Sequence, residues 1–129
     1  MTSIIQWNMQ SWRSNFCDLK KLISQYQPAC VCLQETLLKD RNIHPPSGYN
    51  ISMSSQTRND GHDRGVAILT RLNLHSTDIP LNTHLQAIAK KVWLGRWYTV
   101  CSVYLPHVPV ADRAIRPNPP TPSSISFSW

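Results

Sequence analysis

Ser3-Ile4-Ile5-Gln6-Trp7-Asn8 and, further on, Ala29-Cys30-Val31-Cys32-Leu33-Gln34-Glu35 bracket the segment that decides the fold. The first is a short β-prone run ending on a polar side chain. The second is apolar at nearly every position until its polar end, the pattern of a strand covered on both faces. Between them Phe16, Leu19, Leu22, Ile23 and Tyr26 recur at helical spacing, with Lys20, Lys21 and Gln25 on the other face. Ser11 to Asn15 offers cap residues, Asp18 favours the helix start, and Pro28 stops the helix. The spacing predicts a β-α-β unit: a strand near 3–8, a helix near 15–26 and a strand near 29–35. Such a unit implies parallel strands joined by a right-handed crossover. Both strands end in a polar residue, so Asn8 and Glu35 should emerge together at one edge of the sheet. Open α/β sheets place their ligands at that edge.

Outward from this unit, residues 39–63 are polar and turn-rich, marked by Pro45-Pro46, Ser47-Gly48 and Asp60-Gly61. A short strand at Tyr49–Met53 interrupts them. Val66–Thr70 reads as a buried strand, and further strands are expected at His75–Ile79, Gln86–Trp93 and Trp97–Leu105. Leu94-Gly95-Arg96 forms a tight hairpin connection between the last two. Beyond Pro106, Pro, Ser and Arg dominate and periodicity is lost, so residues 109–129 read as a disordered or out-of-frame tail behind a domain at 1–108.

Composition narrows the function classes. The chain has 129 residues, a single-domain length, and is 41% hydrophobic with five Trp and four Tyr. Thirteen basic and seven acidic residues give a net charge of +6, which suits either a solvated surface or a polyanionic partner. Met1 to Asn8 has no secretory signature, and no apolar run approaches the roughly 18 residues of a membrane span. The expected setting is intracellular, nucleus or cytoplasm, without membrane contact. Cys17, Cys30, Cys32 and Cys101 lack a second pair at zinc spacing; Cys30 and Cys32 share one face of a strand and read as buried free thiols.

Glu35 is the most informative residue. A carboxylate closing an apolar strand is costly unless it is solvated, paired or metal-bound. Lys39 and Arg41 offer a salt bridge as the plain alternative to a metal. Arg58, Arg64 and Arg71 flank a strand, where solvated charges and contacts to DNA phosphates are both open readings. Trp7 and Trp12 read as core.

Ile5-Gln6-Trp7-Asn8, Leu33-Gln34-Glu35-Thr36, Gly65-Val66-Ala67-Ile68-Leu69 and Val103-Tyr104-Leu105-Pro106 occur in that order. Together they resemble the endonuclease/exonuclease/phosphatase superfamily, and more closely the apurinic-type endonuclease domain of jockey-like non-LTR retrotransposons. The resemblance covers residues 3 to about 108. It implies an α/β fold, a four-layered α/β sandwich of two packed sheets. It further implies that Glu35 ligates Mg²⁺, with Mn²⁺ as the substitute. Asn8 would position the scissile phosphate and a catalytic carboxylate, and Tyr104 would contact the phosphate from the facing wall. The implied reaction is in-line hydrolysis of a DNA phosphodiester, nicking a target site for retrotransposition. Arg58 and Arg64 are the nucleic-acid-binding candidates.

The departures limit this expectation. The family's Gly-Asp-x-Asn and Ser-Asp-His motifs, which supply the groups that activate water and phosphate, do not occur in these 129 residues. Asp112 lacks the flanking strand and Asn. His107 follows Leu105-Pro106 but reads as a solvated loop residue rather than a base. The sequence therefore points to a partial sandwich, the first sheet and its helix without the second half. That is a truncated Mg²⁺-dependent endonuclease, inactive alone, with an uncovered sheet face open to self-association. The alternative is a non-catalytic basic remnant that still binds nucleic acid.

Overall fold

The computed structural model describes residues 2–38, 43–54, 65–105 and, as backbone alone, 123–127. Element order is β1 (Thr2–Asn8), α1 (Trp12–Tyr26), β2 (Cys30–Gln34), β3 (Tyr49–Met53), β4 (Val66–Arg71), β5 (Ser76–Ile79), β6 (Gln86–Trp93), β7 (Trp97–Tyr104) and β8 (Ser123–Phe127). Five strands form one sheet in the order β3-β4-β2-β1-β8, and β5-β6-β7 form a second. The expected β-α-β unit is present: β1 and β2 are parallel, with Ile4 opposite Cys30 and Asn8 opposite Gln34. β4 runs antiparallel to β2, and β3 to β4.

Strand alternation divides the core in two. Ile5, Trp7, Met9, Val31, Leu33, Ala67 and Leu69 face α1, where Trp12, Leu19 and Ile23 meet them. On the opposite face Ile4, Cys30, Cys32 and Ile68 pack against Val92, Leu94 and Val100 of the second sheet. Trp7 and Trp12 are both core residues, as read from the sequence. Full burial of side chains of this size contributes about 1.5–3 kcal/mol each, so both interfaces are substantial. Three layers of the α/β sandwich are thus in place: helix, five-stranded sheet and three-stranded sheet. β5–β7 form a second sheet packed against the first, so the strands between residues 3 and 105 divide between two sheets.

Two expectations change. α1 begins at Trp12, not near 15, because Ser11 takes the N-cap and its Oγ accepts from the Ser14 N–H. Asp18 therefore sits inside the helix, not at its start. Asn15 departs from helical φ/ψ, its side-chain amide donating to the Met9 carbonyl at 2.6 Å. At the other end Gln27 adopts the left-handed cap and its N–H returns to the Ile23 carbonyl, so the helix ends just before Pro28. The second change concerns the tail. Ser123–Phe127 is a strand, antiparallel to β1 with Thr2 opposite Phe127. Ser-Ser-Ile-Ser-Phe can follow a strand backbone, and β1 would otherwise present a free edge of unpaired backbone groups. The boundary placed at 108/109 and the remainder of the tail lie outside the described residues.

Candidate functional site

The parallel register carries Asn8 and Glu35 to the same end of the sheet, since Asn8 pairs with Gln34 and Glu35 is the next residue. The Met9 N–H donates to the Gln34 carbonyl at 3.1 Å, extending the ladder past the strand ends. The chain then turns sharply, with Glu35 (φ 53°) and Leu37 (φ 56°) in the left-handed region. Such a backbone is costly for residues other than glycine and persists only where surroundings fix it.

The surroundings here form a continuous chain of hydrogen bonds. The Trp12 N–H at the start of α1 donates to the Thr36 carbonyl at 2.9 Å, and the Thr36 N–H donates to the Gly65 carbonyl at 3.2 Å. The Gly65 N–H in turn donates to Gln86 Oε1 at 2.9 Å. Gln86 is fully buried and stands opposite Tyr104 in the β6–β7 ladder. The loop carrying Glu35 is thereby tied through β4 to the second sheet, beside the strand position of Tyr104. Gly65 is required in this chain: its φ is +78°, and an added Cβ would lie 2.5 Å from Thr36 Oγ1.

A second polar tie lies one step deeper between the sheets. Gln34 Nε2 donates to Ser102 Oγ at 2.8 Å, and the Ser102 hydroxyl donates to the Leu33 carbonyl at 2.8 Å. Gln6 Nε2 donates to Gln34 Oε1. Ser102 is two residues before Tyr104, so both project toward the first sheet and Tyr104 is buried at the site end. Asn8, Glu35 and Tyr104 therefore gather at one end of the paired sheets. Gln34, Gln86 and Ser102, not singled out from sequence as site supports, hold that arrangement. Their signal was present: polar residues at the inward positions of otherwise apolar strands.

Asn8 Oδ1 and Thr36 Oγ1 are buried with no hydrogen-bond partner among the described residues. An acceptor left in this way costs about 1–3 kcal/mol unless something supplies a partner. Among the described residues no group of three or more His, Cys, Asp or Glu could cage a metal. Mg²⁺ does not need one, because it retains waters and uses one or two carboxylates. A partly exposed Glu35 and an unpartnered Asn8 oxygen at the same end of the sheet suit such a hard, water-rich ion. Cys30 and Cys32 are buried free thiols packed between the two sheets. Burial pushes the Cys30 thiol up to about 11 and the Cys32 thiol up to about 12, so both stay protonated at neutral pH.

Arg58 and Arg64, like Lys39, Arg41 and His107, lie outside the described residues. Arg71 sits at the opposite end of the sheet, where Nη2 donates to the Gln27 carbonyl at the C-terminus of α1. That is a favourable place for a cation at a helix end. No helix among the described residues is long and apolar enough to cross a membrane.

The fold is shared with several solved structures. The human Nocturnin catalytic domain with bound sulfate anion is 22% identical with a TM-score of 0.60, the match covering 88% of this chain and 52% of that one. The endonuclease domain of TRAS1, a telomere-specific non-LTR retrotransposon, is 19% identical with a TM-score of 0.62, covering 87% and 50%. The 3′ phosphatase NExo from Neisseria, bound to product DNA hairpin, is 24% identical with a TM-score of 0.56, covering 81% and 41%. The chain thus spans about half the length of these structures or less. Among curated proteins, none matches it by sequence. The sequence matches the Endonuclease/Exonuclease/phosphatase family over residues 5–128, from the first strand through β8. With that match joined to a fold in which β1, β2 and β7 meet at one edge, the chain belongs to the endonuclease/exonuclease/phosphatase family.

Proposed function

We propose that these residues form part of a DNA-nicking phosphodiesterase domain of the jockey-like retrotransposon kind, and that Asn8, Glu35 and Tyr104 are its contribution to the catalytic site. The observation that carries this is the hydrogen-bonded chain Trp12–Thr36–Gly65–Gln86, which gathers the ends of β1, β2 and β7. The fold shared with a retrotransposon endonuclease domain and with a phosphatase bound to a DNA product supports DNA as the substrate.

The family generally depends on a divalent metal. In this chain Glu35 would hold Mg²⁺, or Mn²⁺ in its place. When bound, the ion supplies charge stabilisation at the phosphoryl oxygens. The Asn8 amide Nδ2 would donate to a phosphate oxygen or a neighbouring carboxylate, while Oδ1, unpartnered among the described residues, is left to accept from a donor such as a metal-bound water. Tyr104 contributes a phenol from the facing sheet, and Arg58 and Arg64 are candidates for contacts to DNA phosphates. An element of this type would work inside the cell, in the nucleus or cytoplasm.

The groups that would activate water are not among these residues. General acid–base assistance is worth roughly 10²–10⁴-fold, so the chain alone should not nick DNA at a useful rate. The second reading, a basic module that binds nucleic acid without cleavage, draws on the net charge of +6. Mn²⁺ binding followed by electron paramagnetic resonance, with a supercoiled-plasmid nicking assay in Mg²⁺, separates them. The proposal expects Mn²⁺ binding that Glu35→Ala abolishes, and no nicking. Equal Mn²⁺ binding by wild type and Glu35→Ala would remove Glu35 from the site. Salt-dependent DNA binding without any Mn²⁺ binding would favour the module.

A further inference from the structure

At the end of the second sheet remote from Tyr104, the β6–β7 hairpin closes on Trp93 opposite Trp97. Alternation turns Val92, Tyr98 and Val100 toward the core and both indoles outward, where they are 43% and 48% exposed. The rings pack edge to face with centroids 5.4 Å apart. Lys91 Nζ lies 5.9 Å from the Trp97 ring centroid, and Arg96 is exposed in the turn between the strands. Both indoles, with His75, Ser76 and Thr77, line a cavity of about 300 Å³. This is at the small end of the range for ligand sites. The acidic residue of this sheet, Asp78, belongs to the other face, paired with Lys90 and accepting from Ser52.

We propose that this corner is a stacking site for single-stranded nucleic acid. A base would lie against the indoles, its polar edge within reach of Thr77, which stands opposite Lys91 on the same face, and the adjoining phosphate would meet Lys91 and Arg96. Every base offers a π-face, so aromatic platforms flanked by cations hold single strands with little sequence preference. Duplex DNA keeps its bases stacked inside and cannot use the indoles. The charge pattern argues against a second copy as the occupant. It would bring the same cations face to face on chains that each carry +6. The site is separate from the Asn8–Glu35 edge and needs no metal.

The test is fluorescence anisotropy of a labelled single-stranded oligothymidine titrated with the full chain, with unlabelled duplex as competitor and with chelator present. The expected result is binding that survives chelation and is poorly displaced by duplex. Trp97→Ala should raise Kd by roughly tenfold or more, and Lys91→Gln should lower the salt dependence. Unchanged affinity in both Trp93→Ala and Trp97→Ala, or equal displacement by duplex, overturns the proposal. So does size-exclusion evidence of a dimer that Trp97→Ala dissociates without any effect on oligonucleotide binding. None of these outcomes touches the metal-binding result for Glu35, so the two proposals fail separately.

Discussion

Replacing Gly65 with alanine isolates the contact that holds the Glu35 loop. Two costs add. An L-residue at φ +78° pays about 1–2 kcal/mol for the left-handed backbone. The new Cβ would also sit 2.5 Å from Thr36 Oγ1, inside any real contact distance, and Thr36 is only 1% exposed. Displacing a packed neighbour of that kind costs roughly a further 1–3 kcal/mol. Gly48 and Gly95 supply internal controls, because their φ values, +87° and +88°, carry the same backbone penalty with nothing within 4 Å of an added Cβ. Urea denaturation should therefore rank Gly65→Ala below Gly48→Ala and Gly95→Ala by about 1–3 kcal/mol. Part of that excess should return in the double variant Gly65→Ala/Thr36→Ala, which removes the clashing oxygen. Equal losses at all three glycines would refute the reasoning, as would a double variant that is strictly additive. Either result would mean that backbone conformation alone, and not the Thr36 contact, makes Gly65 necessary.

The polar ties between the sheets make their own prediction. Ser102→Ala removes the acceptor for Gln34 Nε2 and the donor to the Leu33 carbonyl, leaving buried polar groups unpaired. It should cost about 1–3 kcal/mol, read as a fall in the urea midpoint at unchanged slope. The buried thiols predict loss of stability in alkali. Both folded values, about 11 for Cys30 and about 12 for Cys32, lie above the ordinary 9.0. Between about pH 9 and pH 12 the unfolded chain therefore sheds these protons while the folded chain keeps them. The stabilisation is complete below pH 9 and declines as pH rises through that window, and Cys32→Ala should flatten the decline, measured by urea midpoints against pH. In the folded protein an aromatic disulfide reagent should modify exposed Cys17 and Cys101 quickly, and Cys30 and Cys32 only on unfolding.

The strands were legible where the physics is local. Alternation in Ile4–Asn8, the apolar run Cys30–Leu33 and the Gly95 hairpin each reflect a side chain's need for one face or a backbone's need for one turn. The helix start was less legible, because Arg13-Ser14-Asn15 is a polar run, and the turn through it is fixed by the Ser11 cap and the Asn15 contact to the Met9 carbonyl. The strand at Ser123–Phe127 was not legible in the sequence for a different reason. Ser123–Phe127 has a weak strand pattern of its own, and its pairing depends on an edge of β1 far away in the chain.

By itself the sequence determined the β-α-β unit and, with the parallel register it implies, the common edge on which Asn8 and Glu35 emerge. These follow from periodicities of 2 and 3.6 and need no knowledge of distant partners. The tertiary structure alone decided what stands across from that edge. It brought Gln86, the ladder partner of Tyr104, to the Gly65 N–H, and Ser102 to Gln34 across 68 positions of sequence. It also left Trp93 and Trp97 outward on a face that the strand pattern could not distinguish from core. The physical reason is that alternation fixes which residues share a face. Which of two faces meets the other sheet, and in what register, is set by packing between segments that no local pattern connects.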